Sequence, residues 1–173
     1  AGILEFIDPE LNLQEIRIVE EIWLDEWSSD EALEKLGRIL NRTTNIDAIS
    51  CANDQIAAVA IQLLAEYRLA GKVAVVGQDA DVGACQKIVE GTQLMTVYKP
   101  ISALATRAAS VANDIAHGIK ASPDLMIDNR SGSMIPYYIE EPRAVFAGNM
   151  DTSVIKDRFH SAEDIYRNMP VKK

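Results

Sequence analysis

Apolar and polar positions along this chain switch repeatedly between a helical and an extended rhythm, and the switches delimit its elements. At the start, Ile3, Leu4, Ile7 and Leu11 recur at helical spacing with Pro9 interrupting, so residues 1–13 read as the end of a helix with no strand ahead of it. Ile16 to Trp23 (I-R-I-V-E-E-I-W) fits a strand with Trp23 in the core, and Asp25 to Ser29 its loop. Ser28, Ser29 and Asp30 are N-cap candidates for a helix from Glu31 to Arg42, which puts Leu33, Leu36, Ile39 and Leu40 on one face. Ile46 to Cys51 is the next strand, ending at Ala52-Asn53-Asp54. Gln55 to Leu69 is a helical stretch rich in Ala and Leu, closed by Gly71 at its C′ position.

The middle of the chain carries the strongest pattern. Val73 to Gly77 is a short run of β-branched and small apolar residues without alternation, as expected of a strand buried on both faces of a parallel sheet. Asp81 caps a helix to about Glu90, ended by Gly91. Leu94 to Tyr98 is a strand that Lys99-Pro100 terminates, and an Ala-rich helix runs from Ile101 to His117 with Gly118 as its stop. The order β-α-β-α-β-α-β-α with short loops predicts an α/β fold, a three-layer sandwich on a parallel sheet. The last third differs. Ile127 to Gly132 is polar, Met134 to Glu140 is extended, and Pro136 and Pro142 suit edge or crossover segments. Asp151 to Arg158 and Ser161 to Arg167 are short helices, and Lys172-Lys173 make a basic tail.

Composition narrows the chemistry. The 173 residues, 48% hydrophobic, fit one domain with a sizeable core. A net charge of −9 with no basic stripe argues against a nucleic-acid partner. No apolar run spans a bilayer, and no basic-then-apolar leader opens these residues. Cys51 and Cys85 read as buried free thiols, and His117 and His160 are isolated, so no metal site is expected. Gly77 to Gly83 lacks the glycines of a dinucleotide or phosphate loop, so no cofactor is expected; no G-x-S-x-G elbow occurs, and no nucleophile has a base beside it. The chain is expected to recognise a ligand and not to turn one over.

Four residues stand just past a predicted strand: Trp27, Asn53, Asp79 and Lys99. In a parallel sheet such positions converge on one edge, where ligands bind. An indole, a carboxamide, a carboxylate and an ammonium together suit a sugar, whose hydroxyls donate and accept while its C–H faces lie on an aromatic ring. Plainer roles stand beside these. Asp79 and Asp81 are both reasonable N-caps, with the cap assigned to Asp81 and the site to Asp79. Asn53-Asp54 fits a turn and cap, Trp27 can pack under its loop, and Lys99 is either a solvated charge or a partner holding Asp79.

The blocks Trp23 to Trp27, Ala52-Asn53-Asp54, Leu69 to Asp81, Gly91 to Ile101 and Val154 to His160, in this order and spacing, resemble the periplasmic sugar-binding proteins of ABC transporters. The resemblance implies one lobe of a type I periplasmic-binding fold, with residues 1–148 as the carboxyl-terminal sugar-binding lobe, incomplete at its start. Residues 149–173 would be a terminal helical segment packing on a missing lobe or hinge. It implies a monosaccharide ligand, a pentose and D-xylose foremost, held by the residues matching Trp27, Asn53, Asp79 and Lys99. It implies a location in the periplasm or at the outer face of the cytoplasmic membrane, an ABC permease as partner, and a second polypeptide or missing segment that supplies the amino-terminal lobe. The strand that should open the sheet is absent, and in the family's usual order it is central. Two alternatives share the fold: a sensor subunit coupled to a histidine kinase, or the effector lobe of a regulator. An enzyme on a Rossmann-like scaffold is disfavoured by the missing loop and nucleophile.

Overall fold

The computed structural model of the protein describes residues 2–13, 15–120 and 122–170; the basic pair Lys172-Lys173 lies outside them. Its centre is a parallel sheet whose strands are β1 (Ala48–Ser50), β2 (Ala74–Gln78) and β3 (Met95–Tyr98), taken side by side in chain order. Between them run helices α3 (Asp54–Glu66) and α4 (Val82–Val89), after α1 (Gly2–Asn12) and α2 (Ser29–Arg42). Helix α5 (Ile101–Ala116) follows β3, then a separate antiparallel hairpin of β4 (Leu125–Asp128) and β5 (Met134–Tyr137). The chain returns to the main sheet as β6 (Arg143–Val145), antiparallel to β3, and ends in a 3₁₀ turn (Ala147–Asn149), a π-helical turn (Asp151–Ile155) and α6 (Ala162–Tyr166).

Right-handed crossovers between neighbouring strands put α3 and α4 on one face of the sheet. That face is well covered. Leu36 and Leu40 of α2, Ala57, Ile61 and Leu64 of α3, and Val75 of β2 form one buried cluster. Cys85 and Ile88 of α4, Tyr98 of β3, Val145 of β6, and Met150, Val154 and Ile165 form a second. The other face, with Ala74 and Val76 of β2 and Met95 and Val97 of β3, is half-buried. The α/β class and parallel sheet hold, but the strand expected to be buried on both faces is sealed on one.

Local chemistry accounts for most boundaries. Gly91 (φ 82°) and Gly118 (φ 68°) take the left-handed conformation that ends α4 and α5. At the end of α3 that place belongs to Arg68 (φ 59°) and not to Gly71, with Leu69 N–H donating to Leu64 C=O at 2.7 Å. Ser28 caps α2 and Ser161 caps α6, each side chain accepting from a backbone N–H of its helix.

Two further expectations are corrected. Residues 17–24 form no strand: among the described residues no partner strand pairs with them, and Trp23, expected in the core, is 80% exposed. A strand is a pairing and not a property of one segment, so an extended pattern without a neighbour stays irregular. The described part of the terminal segment, residues 149–170, packs within this sheet-and-helix unit. Met150, Val154 and Ile165 are fully buried against α4 and β6, and Gln86 Nε2 donates to Asp164 C=O at 2.8 Å. Asp81 precedes α4, but its side chain makes no capping bond there.

Candidate functional site

The ends of the parallel strands lie on one edge. Cys51 N–H donates to Val76 C=O, and Asp79 N–H to Val97 C=O, each at 2.9 Å, so the ladder runs one residue past β1 and β2. Asn53, Asp79 and Lys99 follow β1, β2 and β3 respectively, on that common edge. Asp79 and Lys99 meet directly: Lys99 Nζ lies 2.6 Å from Asp79 Oδ1, both side chains partly open to solvent. Asn53 has taken the N-cap of α3, its Oδ1 accepting from Ile56 N–H at 2.9 Å. The capping role leaves its amide N–H groups as the donors it can offer a ligand.

Trp27 reaches its place by another route. With no strand ahead of it, it sits in a turn with Glu26 and itself left-handed (φ 53° and 58°), tethered to α2 by Asp25 N–H donating to Glu31 Oε2 at 2.7 Å. The residue is 60% exposed. The expectation that Trp27 follows a strand fails with that strand, so the sheet sets three of the four residues on one edge and leaves Trp27 in the turn ahead of α2.

Sequence reasoning left Asp54 as turn and cap, yet it is the buried centre beneath this edge, 3% exposed. Its Oδ2 accepts from Thr96 Oγ1 (2.8 Å) and Asp81 N–H (2.9 Å), and its Oδ1 from Gln93 Nε2 (3.0 Å). Burial pushes the carboxyl above the ordinary carboxylate range, opposed by these bonds. The same carboxylate explains Gly77, where a Cβ would run into Asp54 Oδ1. The signal for it was thin: an acidic residue one place past a strand-end asparagine, with a glycine in the next strand.

The backbone at Asp79 and Ala80 is strained. Both are non-glycine residues at positive φ, 105° and 56°, a conformation costing on the order of 1–3 kcal/mol that persists where surrounding contacts over-determine it. Such strain is found at ligand-holding loops. Burial pushes the thiols of both Cys51 and Cys85 up to about 12, away from the reactive thiolate form. Among the described residues no group of three or more His, Cys, Asp or Glu is placed to hold a metal ion, and no helix is long and apolar enough to cross a membrane.

An open edge that offers a carboxylate, an ammonium and an amide at the ends of parallel strands is the arrangement of a ligand-binding α/β lobe. Residues 1–120 match the family described as periplasmic binding protein domain, and the chain belongs to that family. It is 39% identical over 166 residues to the D-xylose-binding periplasmic protein of Haemophilus influenzae, covering 95% of this chain and 50% of that one. To the protein of the same description from Escherichia coli it is 37% identical, with the same coverage. The chain thus spans about half the length of the curated relatives it matches. Among solved structures, an ABC transporter solute-binding protein from Clostridium phytofermentans with bound β-D-glucose superposes with a TM-score of 0.78 at 20% identity, over 95% of this chain and 54% of that one. A carbohydrate transporter solute-binding protein from Chloroflexus aurantiacus with D-glucose gives 0.70 at 23%, over 80% and 42%. At these identities the structures establish the fold.

Proposed function

We propose that this chain is the carboxyl-terminal lobe of an extracytoplasmic sugar-binding protein serving an ABC transporter, and that its ligand is a pentose, D-xylose foremost. The observation that carries the reading is the Asp79–Lys99 pair, set on strained backbone at the strand ends, in a chain about two-fifths identical to D-xylose-binding relatives. The protein binds and does not catalyse, as its family does.

Asp79 accepts from two sugar hydroxyls, Lys99 and the Asn53 amide donate to others, and Trp27 lays its indole on a C–H face. Lys99 holds the carboxylate in place until the sugar arrives. A second lobe closes over this edge, supplies the remaining hydrogen bonds and excludes water. A permease reads the closed form. This lobe alone binds sugar weakly, because half the contacts and the desolvating cover are missing. The relatives that name a system name a transporter, which favours transport over the sensing alternative.

Calorimetry with a panel of pentoses and hexoses tests the assignment on a two-lobed protein, this chain joined to the other half of the Haemophilus influenzae relative. Saturable binding of D-xylose, tighter than of hexoses, supports it. A protein that binds no sugar contradicts it.

A further inference from the structure

The strained Asp79–Ala80 backbone raises the question of what holds it. The two peptide groups flanking Ala80 are gripped by residues distant in sequence. The Ala80 N–H donates to Thr96 Oγ1 at 3.1 Å, and the Thr96 hydroxyl in turn donates a hydrogen bond to Asp54 Oδ2 at 2.8 Å. Asp54 Oδ2 also accepts the N–H of Asp81, so one buried carboxylate fixes two successive peptides after Asp79. On the other side, Ala80 C=O lies 2.7 Å from His160 Nε2, and a carbonyl only accepts, so that nitrogen carries the proton. His160 is steadied in turn by Phe159, ring centroids 4.4 Å apart, and Phe159 by Tyr98 at 5.0 Å. Ala80 itself is fully buried.

We propose that Thr96, backed by Asp54, and His160 are positioning residues that clamp the two peptides flanking Ala80 and thereby hold the Asp79 carboxylate at the strand-end edge against Lys99. None of the three faces the ligand; each acts through Asp79. The clamp ties the orientation of a binding group to β3 on one side and to the terminal segment on the other. The terminal segment therefore serves the binding edge and is more than a packing appendage. The functional half of this inference rests on the proposed sugar site; the structural half does not.

Two measurements separate them. In this chain, amide hydrogen exchange at Ala80 and Asp81 is expected to speed at least tenfold in Thr96→Val relative to the amides of β2, and to recover in Thr96→Ser. Loss of the His160 bond in His160→Ala is expected to loosen the same two amides, with His160→Gln, which keeps a side-chain N–H, restoring them. Because His160 is half-buried, this pair carries the test where Thr96→Val does not fold. In the two-lobed protein, D-xylose binding is expected to weaken at least tenfold in Thr96→Val and in His160→Ala, and to return in Thr96→Ser and His160→Gln. Unchanged exchange at Ala80 and Asp81 in both removal variants overturns the clamp. Faster exchange with unchanged affinity overturns the positioning role. A wild-type protein indifferent to D-xylose overturns the sugar assignment alone, and exchange then still decides whether the clamp exists.

Discussion

The block around α3, β2, α4 and β3 and the elements flanking it both carry large apolar side chains but treat them in opposite ways. In the block, Leu64, Val75, Tyr98, Val145, Met150 and Ile165 are at most 2% exposed. In the flanking elements, Phe6 of α1 is 85% exposed, Trp23 80%, Ile101 and Ile115 of α5 56% and 63%, and Met134 of β5 55%. Helix α5 buries none of its residues. Secondary structure here is decided locally, by capping and by proline and glycine punctuation, whereas burial needs a facing surface. The flanking elements carry an interior composition without an interior.

Core truncations should show the contrast at its largest. Leu64→Ala or Ile165→Ala is expected to cost about 2–5 kcal/mol, because a fully packed site cannot collapse onto the lost volume. Phe6→Ser and Ile115→Ser are expected to stay within about 0.5 kcal/mol in this chain, read from urea denaturation midpoints. A cost of several kcal/mol at Phe6 would show that α1 is packed after all.

Next in size is the Asp54 centre. Asp54→Ala orphans the donors of Thr96, Gln93 and Asp81, with an expected loss of about 2–4 kcal/mol, each orphaned group costing roughly 1–3 and the losses being less than additive.

The same carboxyl gives a pH dependence of fixed sign. Its folded value is raised by burial, so the native state holds the proton more tightly than the unfolded chain does. The stability this contributes is fully present below the ordinary aspartate range and is lost as pH rises through the raised folded value. Denaturation of wild type and Asp54→Asn from acid to neutral pH should therefore show their difference drifting in favour of the variant over that window, then levelling. A drift the other way would mean that the hydrogen bonds to Asp54 outweigh its desolvation.

The smallest effect concerns the strained edge. Asp79→Gly and Asp79→Ala both remove the ion pair with Lys99, worth at most about 1 kcal/mol at this exposure, but only glycine accepts φ 105° freely. The glycine variant is expected to be the more stable of the two by about 1 kcal/mol. Equal stability would mean that the loop relaxes and stores no strain.

What the chain disclosed in advance follows the same division. β2, α4, β3 and α5 are legible to within a residue or two, because Gly91, Lys99-Pro100 and Gly118 mark their ends. The placement of Asn53, Asp79 and Lys99 at one edge follows from strand order alone. Strand pairing was not legible where it depends on a distant partner: I-R-I-V-E-E-I-W stays irregular, while three residues after Pro142 join the main sheet as β6. Nor did spacing reveal that Arg68, not Gly71, would take the left-handed cap of α3. Asp54, Thr96 and His160 stand far apart in sequence and show themselves only through the two peptides flanking Ala80.

The most direct test of the central claim is calorimetric titration of D-xylose into the two-lobed protein with Asp79 intact and with Asp79→Ala. Saturable heat from the first and none from the second is the result predicted here. Equal affinity in the two would place the sugar elsewhere and remove the strand-end edge from the account.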